Sequence, residues 1–337
     1  MRKERKILKR VTARAHANIA LVKYWGKRDT VLNLPAVGSI SLTLDALHTT
    51  TTVVFSPRLK ADELVLNGHP AAAAQLRRVR DFLSHVRNLA GISHFARVVS
   101  ENNFPTGAGL ASSASAFASL ALAATRAAGV ELSATSLSEL ARLGSGSAAR
   151  SIFGGFVEMN PGTRPDGSDA VAHPLLPPQE WNIRLLIAIT SESEKEIGST
   201  EGMEHTAKTS PFYEQWVVSA RQDIEAMREA IFQRDFTRLG EIAEHSCLKM
   251  HAVALSARPG LLYWNDTTIR LMHTVRQMRR EGLPVYFTID AGPQVKAICL
   301  PDIQDTVAQR LRTIPGVLRV IAAGPGPDAH ILQEEKD

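Results

Sequence analysis

Cysteine, aromatic residues and long apolar runs are all scarce in this chain. Only two cysteines, Cys247 and Cys299, occur among 337 residues, and they form neither a metal-binding pattern nor a disulfide scaffold. This usage predicts a reducing, cytoplasmic environment. No run approaches the roughly 18 apolar residues that a membrane-spanning helix needs. The basic segment MRKERKILKR at the N-terminus is followed by no apolar region, so we expect no secretory signal.

The charge balance is basic, with a formal net charge of +5, while aromatic residues make up only 6% of the chain. A basic chain can bind nucleic acid, but the few aromatics and the lack of a DNA- or RNA-binding motif argue against that class. The charge then indicates either a solvated arginine-rich surface or attraction of an anionic small molecule. A hydrophobic content of 44% is ordinary for a globular protein, and the length predicts one large or two medium domains.

A stretch of small residues at 105–115, PTGAGLASSAS, is the most informative segment of the sequence. It follows an extended run at 95–100 and leads into an alanine-rich segment at 114–128 that is typical of a helix. The first N–H groups of a helix lack internal partners, and the helix dipole favours an anion there. Glycines let a phosphate approach such a helix start, and serine hydroxyls add donors. The spacing matches neither a Walker A loop nor a full Rossmann fingerprint, so a tight turn before a closely packed helix is the alternative.

A second segment rich in glycine and serine, GSGSAARSIFGG at 144–155, repeats this pattern. Its backbone N–H groups, with Ser145 and Ser147, can bind an oxyanion, and Arg150 can grip a carboxylate or phosphate through two donors. Two such segments in one chain predict an anionic substrate with two ends, or two anionic ligands. Just upstream, SLSE at 136–139 matches a capping box and predicts the start of a short helix that ends at Gly144.

Three charged positions are ambiguous from their local pattern alone. Lys23 and Lys27 flank Tyr-Trp-Gly, which suits either a surface turn or two ammonium groups aimed at a polyanion. Asp290 ends the run of β-formers VYFTID and precedes Ala-Gly-Pro. It is either a turn-capping residue or an active-site carboxylate held at a strand end.

Segment 160–180, rich in Pro, Gly and Asp, predicts an exposed excursion or linker and a domain boundary. We therefore expect two domains, 1–180 and 181–337. Periodicity and turn residues predict strands at 11–22 and 41–55, a hairpin turn at Asn67-Gly68, and helices at 71–90, 211–232, 235–255, 264–282 and 301–313.

Five stretches together resemble the diphosphomevalonate decarboxylases, a family of the GHMP kinase superfamily. They are ANIALVKYWGKRD at 17–29, ENNFPTGAGLASSA at 101–114, GSGSAARSIFGG at 144–155, GSTEGM at 198–203 and FTIDAGP at 287–293. Each stretch alone is a weak signal, whereas the set, which follows the family's order along most of the chain, is highly specific.

The resemblance implies an α+β, GHMP kinase-like fold of two domains with the active site in the cleft between them. The N-terminal domain would be of the ribosomal protein S5 domain 2-like type, and the C-terminal domain a ferredoxin-like α/β sandwich. The implied activity is ATP-dependent decarboxylation of 5-diphosphomevalonate to isopentenyl diphosphate, with ATP and Mg²⁺ required. The implied assembly is a homodimer, and we expect neither a nucleic-acid nor a membrane partner.

The resemblance also implies roles for individual residues. Asp290 resembles the catalytic aspartate that orients and deprotonates the C3 hydroxyl, Arg150 resembles the residue that holds the substrate carboxylate, and Lys23 joins them in catalysis. The other implied substrate-binding residues are Tyr24, Lys27, Ser145, Gly146, Ser147, Ser199 and Thr200. The implied ATP-binding residues are Asn102, Pro105, Gly107, Ala108, Gly109, Leu110, Ser112, Ser113 and Ser115, with Ser112 or Ser113 as the Mg²⁺ ligand.

A few positions depart from the family's pattern. Ala149 stands where Cys is common, and Gln294 where Asn is usual. Lys195 alone stands where a Lys-Lys pair is common, and Gly198 stands where Ser is usual. Because that last loop helps to hold the diphosphate, these departures leave open a decarboxylase of 5-phosphomevalonate, or a kinase that phosphorylates C3 without decarboxylation. A non-catalytic ligand-binding regulator is a further alternative.

Overall fold

The computed structural model describes residues 9–104, 112–193 and 196–336. Its largest sheet is built on two long antiparallel strands, β1 (Lys9–Val22) and β4 (Ser39–Ser56). The first half of β1 alternates between buried and partly exposed residues, whereas its second half is buried throughout. A strand that is buried on both faces must lie between two layers of structure. The end of β1 is therefore held deep inside the molecule.

Six further strands complete this sheet. They are β5 (Glu63–Leu66), β6 (His69–Pro70), β7 (Phe95–Asn102), β8 (Phe156–Met159), β9 (Ala172–Leu176) and β14 (His330–Lys336). The order is β14-β1-β4-β7-β5-β6, while β8 pairs with β4 and β9 pairs with β8.

A second sheet of four strands comes from the C-terminal half of the chain. Its strands are β10 (Arg184–Ile189), β11 (Val285–Ile289), β12 (Val295–Cys299) and β13 (Arg319–Ala323). All its pairings are antiparallel, in the order β11-β12-β10-β13. A small ribbon joins β2 (Lys27–Asp29) to β3 (Leu34–Pro35).

Helices cover both sheets. The α-helices in the described residues are α1 (Ala73–Ala90), α2 (Ser112–Ala127), α3 (Ala134–Gly144), α4 (Ser199–Thr209), α5 (Tyr213–Gln233), α6 (Phe236–Leu255), α7 (Asp266–Arg280) and α8 (Gln304–Arg312). Short 3-10 helices cover Gly146–Ile152 and Pro301–Ile303.

Helix α2 packs closely on the first sheet because the residues that face the sheet are small. Ala114, Ala118 and Ala121 are fully buried. The hydroxyl of Ser119 lies 2.7 Å from that of Thr51 on β4, which fixes the helix against the strand. This packing sets the position of the first turn of α2.

A shared apolar cluster joins the two sheets. It contains Ile19 of β1, Leu42 of β4, Leu185 of β10, Met227 of α5 and Leu239 of α6. Burial of one face of each sheet in a common core is the usual way in which layers are held together. As a result the end of β1 lies beside the end of β11, and a cleft opens next to both.

Most of the elements predicted from periodicity are confirmed. The strands at 11–22 and 41–55 are β1 and β4, and the five predicted helices are α1, α5, α6, α7 and α8. Asn67 and Gly68 join β5 to β6 with φ values of 49° and 80°. Positive φ at both turn residues is what the predicted hairpin turn requires.

Other predictions about local structure were wrong. Helix α3 begins at Ala134, because the side chain of Ser133 accepts the N–H of Ser136 and caps the helix. Segment 160–180 is not simply a linker, since it contains β9, which pairs with β8. Strand β14, which is polar and pairs with β1 in the first sheet, was not predicted from the sequence. Within the described residues, no helix is long and apolar enough to cross a membrane.

Candidate active site

A cleft of about 900 Å³ lies between the two halves of the molecule. The N-terminal half contributes Lys23 and Ser112 to its lining, and the C-terminal half contributes Thr200 and Asp290. The predicted catalytic residues and the predicted phosphate-binding serines therefore share one cavity. This placement is what the expected site between two units of an α+β fold requires, although Ser115 does not line the cleft.

Asp290 lines the cleft and is held by two lysines. It follows β11 directly, and its Oδ1 lies 2.6 Å from Nζ of Lys23, which follows the end of β1. Its Oδ2 lies 3.0 Å from Nζ of Lys296 on β12. Burial alone would raise the pKa of Asp290, but the two ammonium groups outweigh burial and lower it. The carboxylate is therefore ionised at neutral pH.

Arg150 is a buried cation whose described partners are neutral. Its Nε and Nη2 both donate to Oδ1 of Asn18, at 3.2 and 3.1 Å, and its Nε also donates to Oγ of Ser41 at 3.0 Å. Burial lowers its pKa to about 10, while nearby Tyr24 and Asp290 act in the opposite direction, so it stays protonated at neutral pH. A buried guanidinium that pairs with no described carboxylate is suited to bind an anionic ligand.

The Tyr24 hydroxyl faces the 3-10 helix that carries Arg150. It is buried and has no hydrogen-bond partner among the described residues. Burial raises the pKa of this phenol, although the charge of Arg150 opposes the rise, so Tyr24 is a neutral donor. Buried polar groups are normally satisfied, and an unpartnered hydroxyl that lines a cleft indicates a ligand contact.

The close approach of Gly146 to Tyr24 leads to a stability prediction. A Cβ at Gly146 would lie 2.4 Å from the Tyr24 hydroxyl oxygen. We expect Gly146→Ala to lower the free energy of unfolding by about 1–3 kcal/mol, as overpacking does. Chemical denaturation monitored by tryptophan fluorescence measures this change.

Gly198 provides the matched control for that substitution, since it also lines the cleft. No described atom lies within 4 Å of a Cβ placed there. Gly198→Ala is therefore expected to cost less than about 1 kcal/mol, mainly because alanine is a poorer N-cap than glycine at the start of α4. Equal losses from the two substitutions would contradict the tight packing of Gly146 on Tyr24.

Lys27 lies near the mouth of the cleft, beside the start of α4. Its Nζ donates to Oδ1 of Asn33 at 2.6 Å and to Oγ1 of Thr200 at 3.4 Å. Burial lowers the pKa of Lys27, and the charge of Glu204 works against that fall. Ser199 and Thr200 occupy the first turn of α4, where helix N–H groups favour an anion.

The two predicted anion-binding segments meet in the cleft. Ser113, in the first turn of α2, has its Oγ 3.3 Å from Oγ of Ser145, which lies 3.3 Å from Oγ of Ser147. This row of hydroxyls joins the two segments. Residues 105–111, which include Pro105, Gly107, Ala108, Gly109 and Leu110, lie outside the described residues, as does Lys195.

Two other predicted ATP-binding residues are bonded to β4. The Thr49 hydroxyl donates to Oδ1 of Asn102 at 2.6 Å, and Asn102 lines the cleft. The same hydroxyl lies 2.7 Å from that of Ser115, which is fully buried, so Ser115 helps to fix α2 on the sheet. Contact of either residue with ATP stays a prediction.

A magnesium ion fits the oxygen donors at this end of the cleft. Among the described residues, no three His, Cys, Asp or Glu side chains are grouped to hold a metal ion. Mg²⁺ commonly binds through few protein oxygens together with phosphate oxygens and water. The hydroxyls of Ser112 and Ser113, which line the cleft, suit this kind of site.

Several residues of the site were not identified from the sequence. Lys296 is a lysine in an apolar strand, and that departure from the strand pattern was the available signal. Asn18, Ser39 and Ser41, which bind Arg150, lie on two different strands. Their meeting depends on the pairing of β1 with β4, which the local pattern does not give. Gln294 accepts the N–H of Thr190, so it fixes the backbone beside β12.

Comparison with known families agrees with this arrangement. Residues 15–172 match a family model described as the diphosphomevalonate decarboxylase-like N-terminal domain. Residues 185–318 match the mevalonate 5-diphosphate decarboxylase C-terminal domain. The chain belongs to the diphosphomevalonate decarboxylase family. Its members are enzymes, and the resemblance seen in the five sequence stretches is confirmed.

Individual members of the family are similar over nearly the whole chain. The diphosphomevalonate decarboxylase of Candida albicans is 37% identical over 346 residues, which covers 93% of this chain and 96% of the relative. The crystal structure of mevalonate diphosphate decarboxylase from Staphylococcus aureus is 38% identical, with a TM-score of 0.91 over 97% of this chain and 99% of that one. A structure described as MDDEF in complex with MVAPP, AMPPCP and magnesium is 41% identical, with a TM-score of 0.90 and the same two coverages.

Proposed function

We propose that this member of the diphosphomevalonate decarboxylase family converts 5-diphosphomevalonate and ATP to isopentenyl diphosphate, ADP, phosphate and CO₂. The observation that carries the proposal is the ionised Asp290, held by lysines in the same cleft as the buried Arg150. The names of its relatives support the substrate, and the solved complex with MVAPP, AMPPCP and magnesium supports the use of ATP and Mg²⁺.

Arg150 holds the carboxylate of the substrate in this proposal. Asn18 and Ser41 fix the guanidinium from one side and leave its charge to pair with a ligand. Tyr24, beside it, can donate a further hydrogen bond to the substrate. A carboxylate fixed in this way has its C1–C2 bond oriented for loss of CO₂.

Asp290 accepts a hydrogen bond from the tertiary C3 hydroxyl and takes its proton as the C3 oxygen bonds to the γ-phosphoryl group. The bond from that phosphorus to the β–γ bridging oxygen breaks in the same step, and ADP leaves with the electron pair. A carboxylate with a lowered pKa is a weak base, which suits a loose transition state in which the proton moves late. Lys23, which also lines the cleft, stabilises charge on the transferring group.

The row of hydroxyls and the cations of the cleft bind the phosphates. Ser145, Ser147, Lys27, Ser199 and Thr200 are assigned to the substrate's phosphates, and Ser112 and Ser113 to those of ATP. Bound Mg²⁺ would add positive charge at the phosphate oxygens, with Ser112 or Ser113 as a ligand.

The last step breaks the C3–O bond, and the departing phosphate takes the electron pair. The electrons of the C1–C2 bond form the C2–C3 double bond, and CO₂ leaves. Lys23 and the buried Arg150 favour departure of an anion from this site.

A decarboxylase of 5-phosphomevalonate is the second candidate. Gly198, at the N-cap of α4, lacks the side-chain hydroxyl that serine usually provides in the family. The loss of one hydroxyl donor beside α4 is consistent with a substrate that carries one phosphate instead of two.

Steady-state assays of ADP formation test the choice of substrate. Purified protein with Mg-ATP is offered 5-diphosphomevalonate, 5-phosphomevalonate and mevalonate separately. We expect turnover with the diphosphate, whereas turnover mainly with the monophosphate would move the enzyme to the second candidate. Absence of ADP formation with all three substrates would contradict the proposed function.

We also propose that residues 1–180 and 181–337 form the two domains of a cytoplasmic homodimer, as the resemblance implies. The absence of a membrane-spanning helix among the described residues and the two free, buried cysteines are consistent with this. Strand β14 lies in 181–337 but pairs with β1, so it is the part of this range that belongs to the first sheet. A solution mass of twice the chain mass, measured by light scattering, is the expected result.

A further inference from the structure

Lys296 holds the side of Asp290 that Lys23 does not hold. Its Nζ lies 3.0 Å from Oδ2, whereas Nζ of Lys23 lies 2.6 Å from Oδ1. The Lys296 side chain is 0% exposed, while Asp290 keeps 23% of its side chain exposed. The carboxylate is thus clamped from the protein interior and remains open to the cleft.

Strand pairing places Lys296 at this point. Lys296 lies directly opposite Thr288 in the β11–β12 ladder, and opposed residues project to the same face of a sheet. The Thr288 hydroxyl donates to the carbonyl of Ala20 at 3.4 Å, and Nζ of Lys23 donates to the same carbonyl at 2.8 Å. The face that carries Lys296 therefore lies against the end of β1.

The two lysines differ in their access to a substrate. Of the described residues, those lining the cleft include Lys23 and Asp290 but not Lys296. Lys296 therefore acts on a bound substrate only through Asp290. Each oxygen of a carboxylate has two lone pairs, so a hydroxyl can still bond to Asp290 while both lysines are in place.

The charge balance explains why two lysines are present. A buried carboxylate that loses its only cationic partner is strongly destabilised. If Lys23 were the sole partner, any movement of its ammonium group toward a phosphoryl group would leave Asp290 uncompensated. With Lys296 fixed behind the carboxylate, Asp290 stays paired throughout such a movement.

From this geometry we infer that Lys296 is a positioning residue for the decarboxylase reaction. It fixes the plane and the ionised state of Asp290, and so allows Lys23 to turn from Asp290 toward the transferring phosphoryl group. The inference rests on the proposed function, because it requires Asp290 to serve the C3 hydroxyl.

Among the groups around Lys296, Asp290 is the one whose protonation is expected to lower activity as the pH falls. Besides the two lysines, it is faced by Arg150 and by Cys247 and His251 of α6. Burial raises the pKa of the Cys247 thiol to about 11, and Lys23 opposes the rise. Burial, with help from Lys23, lowers the pKa of His251 to about 3. Neither residue titrates between about pH 5 and 9, whereas the phosphates of ATP and of the substrate do. A difference between the acid limbs of variant and wild type, measured with the same substrates, therefore reports on Asp290.

The test is the pH profile of kcat/KM for Lys296→Met and Lys296→Gln. Removal of the cation raises the pKa of Asp290, so activity is lost at a higher pH on acidification. We expect the acid limb of both variants to lie at a higher pH than that of the wild type, because Lys296 helps to lower the pKa of Asp290. At neutral pH kcat should fall by about 100-fold in Lys296→Met, as for a misplaced catalytic group, with KM for ATP little changed. Lys296→Gln, which keeps a hydrogen-bond donor, should lose less.

Thr288→Val is the matched control, because it removes a buried polar group from the same pair of strands without changing the charge at Asp290. We expect its kcat within a few-fold of the wild type and its acid limb unmoved. Lys296 variants with an unmoved acid limb, even with lower kcat, would overturn the inference. A wild-type enzyme that releases no CO₂ would instead overturn the proposed function, so the two failures are distinguishable.

Discussion

Asp290→Asn is expected to lower kcat by about 1,000-fold, because the amide cannot take the C3 proton and carries no charge. The same change leaves Lys23 and Lys296 without their anionic partner. ATP binding, which we assign to the first turn of α2, is expected to be largely kept. Steady-state kinetics and titration with a fluorescent ATP analogue measure the two effects separately.

Asp223→Asn is the matched control for this substitution. Asp223 forms an ion pair of the same length, 2.6 Å, with Lys249, and neither residue lines the cleft among the described residues. Loss of this ion pair is expected to leave kcat within a few-fold of the wild type. A non-catalytic ligand-binding protein would be indifferent to both substitutions, and an unchanged kcat in Asp290→Asn would contradict the assigned role.

Arg150→Gln is expected to lower kcat/KM for the substrate by about 100-fold or more. Truncation of one partner of a buried, hydrogen-bonded charge pair costs about 2–5 kcal/mol, and here the other partner is the carboxylate of the bound substrate. Asn18 and Ser41 also lose their shared donor, so the free energy of unfolding should fall. Kinetics and thermal unfolding of the same preparations check both effects.

Arg142→Gln separates the loss of binding from the loss of stability. Arg142 is also buried, but its guanidinium donates to the backbone carbonyls of Leu32 and Gly167. This variant should lose stability while kcat/KM of the folded enzyme stays within a few-fold. An equal fall in kcat/KM for the two arginine variants would show that Arg150 acts only through the fold.

Strong periodicity and turn chemistry made much of the fold predictable. The alternation of residues in β4 predicted a strand, and the spacing of apolar residues in α1 predicted a helix. The pair Asn67-Gly68 predicted the hairpin turn between β5 and β6. The predicted start of α3 was wrong because two serines three residues apart, Ser133 and Ser136, can each cap a helix. The N–H of Ser136 donates to Oγ of Ser133, so Ser133 is the cap. Strand β14 was missed because HILQEEK is mostly polar and gains its strand partner only from β1.

Site residues that lie close together in the sequence could be predicted. Site residues that meet only through the pairing of strands could not. Arg150 and the nearby serines lie in one segment, so a single motif indicated them. The pairing of Lys296 with Asp290 arises from the register of β11 with β12, which puts Lys296 opposite Thr288. Nothing in the residues around Lys296 specifies that register, and the missed partners of Arg150 depend in the same way on β1 and β4.

The ratio of CO₂ to ADP is the most direct test of the central claim. The enzyme is incubated with Mg-ATP and carboxyl-labelled 5-diphosphomevalonate, and both products are counted over the same interval. Phosphorylation of C3 followed by elimination predicts one CO₂ for each ADP at every time point. ADP without CO₂ would contradict the account and make the enzyme a kinase that stops at the C3 phosphate.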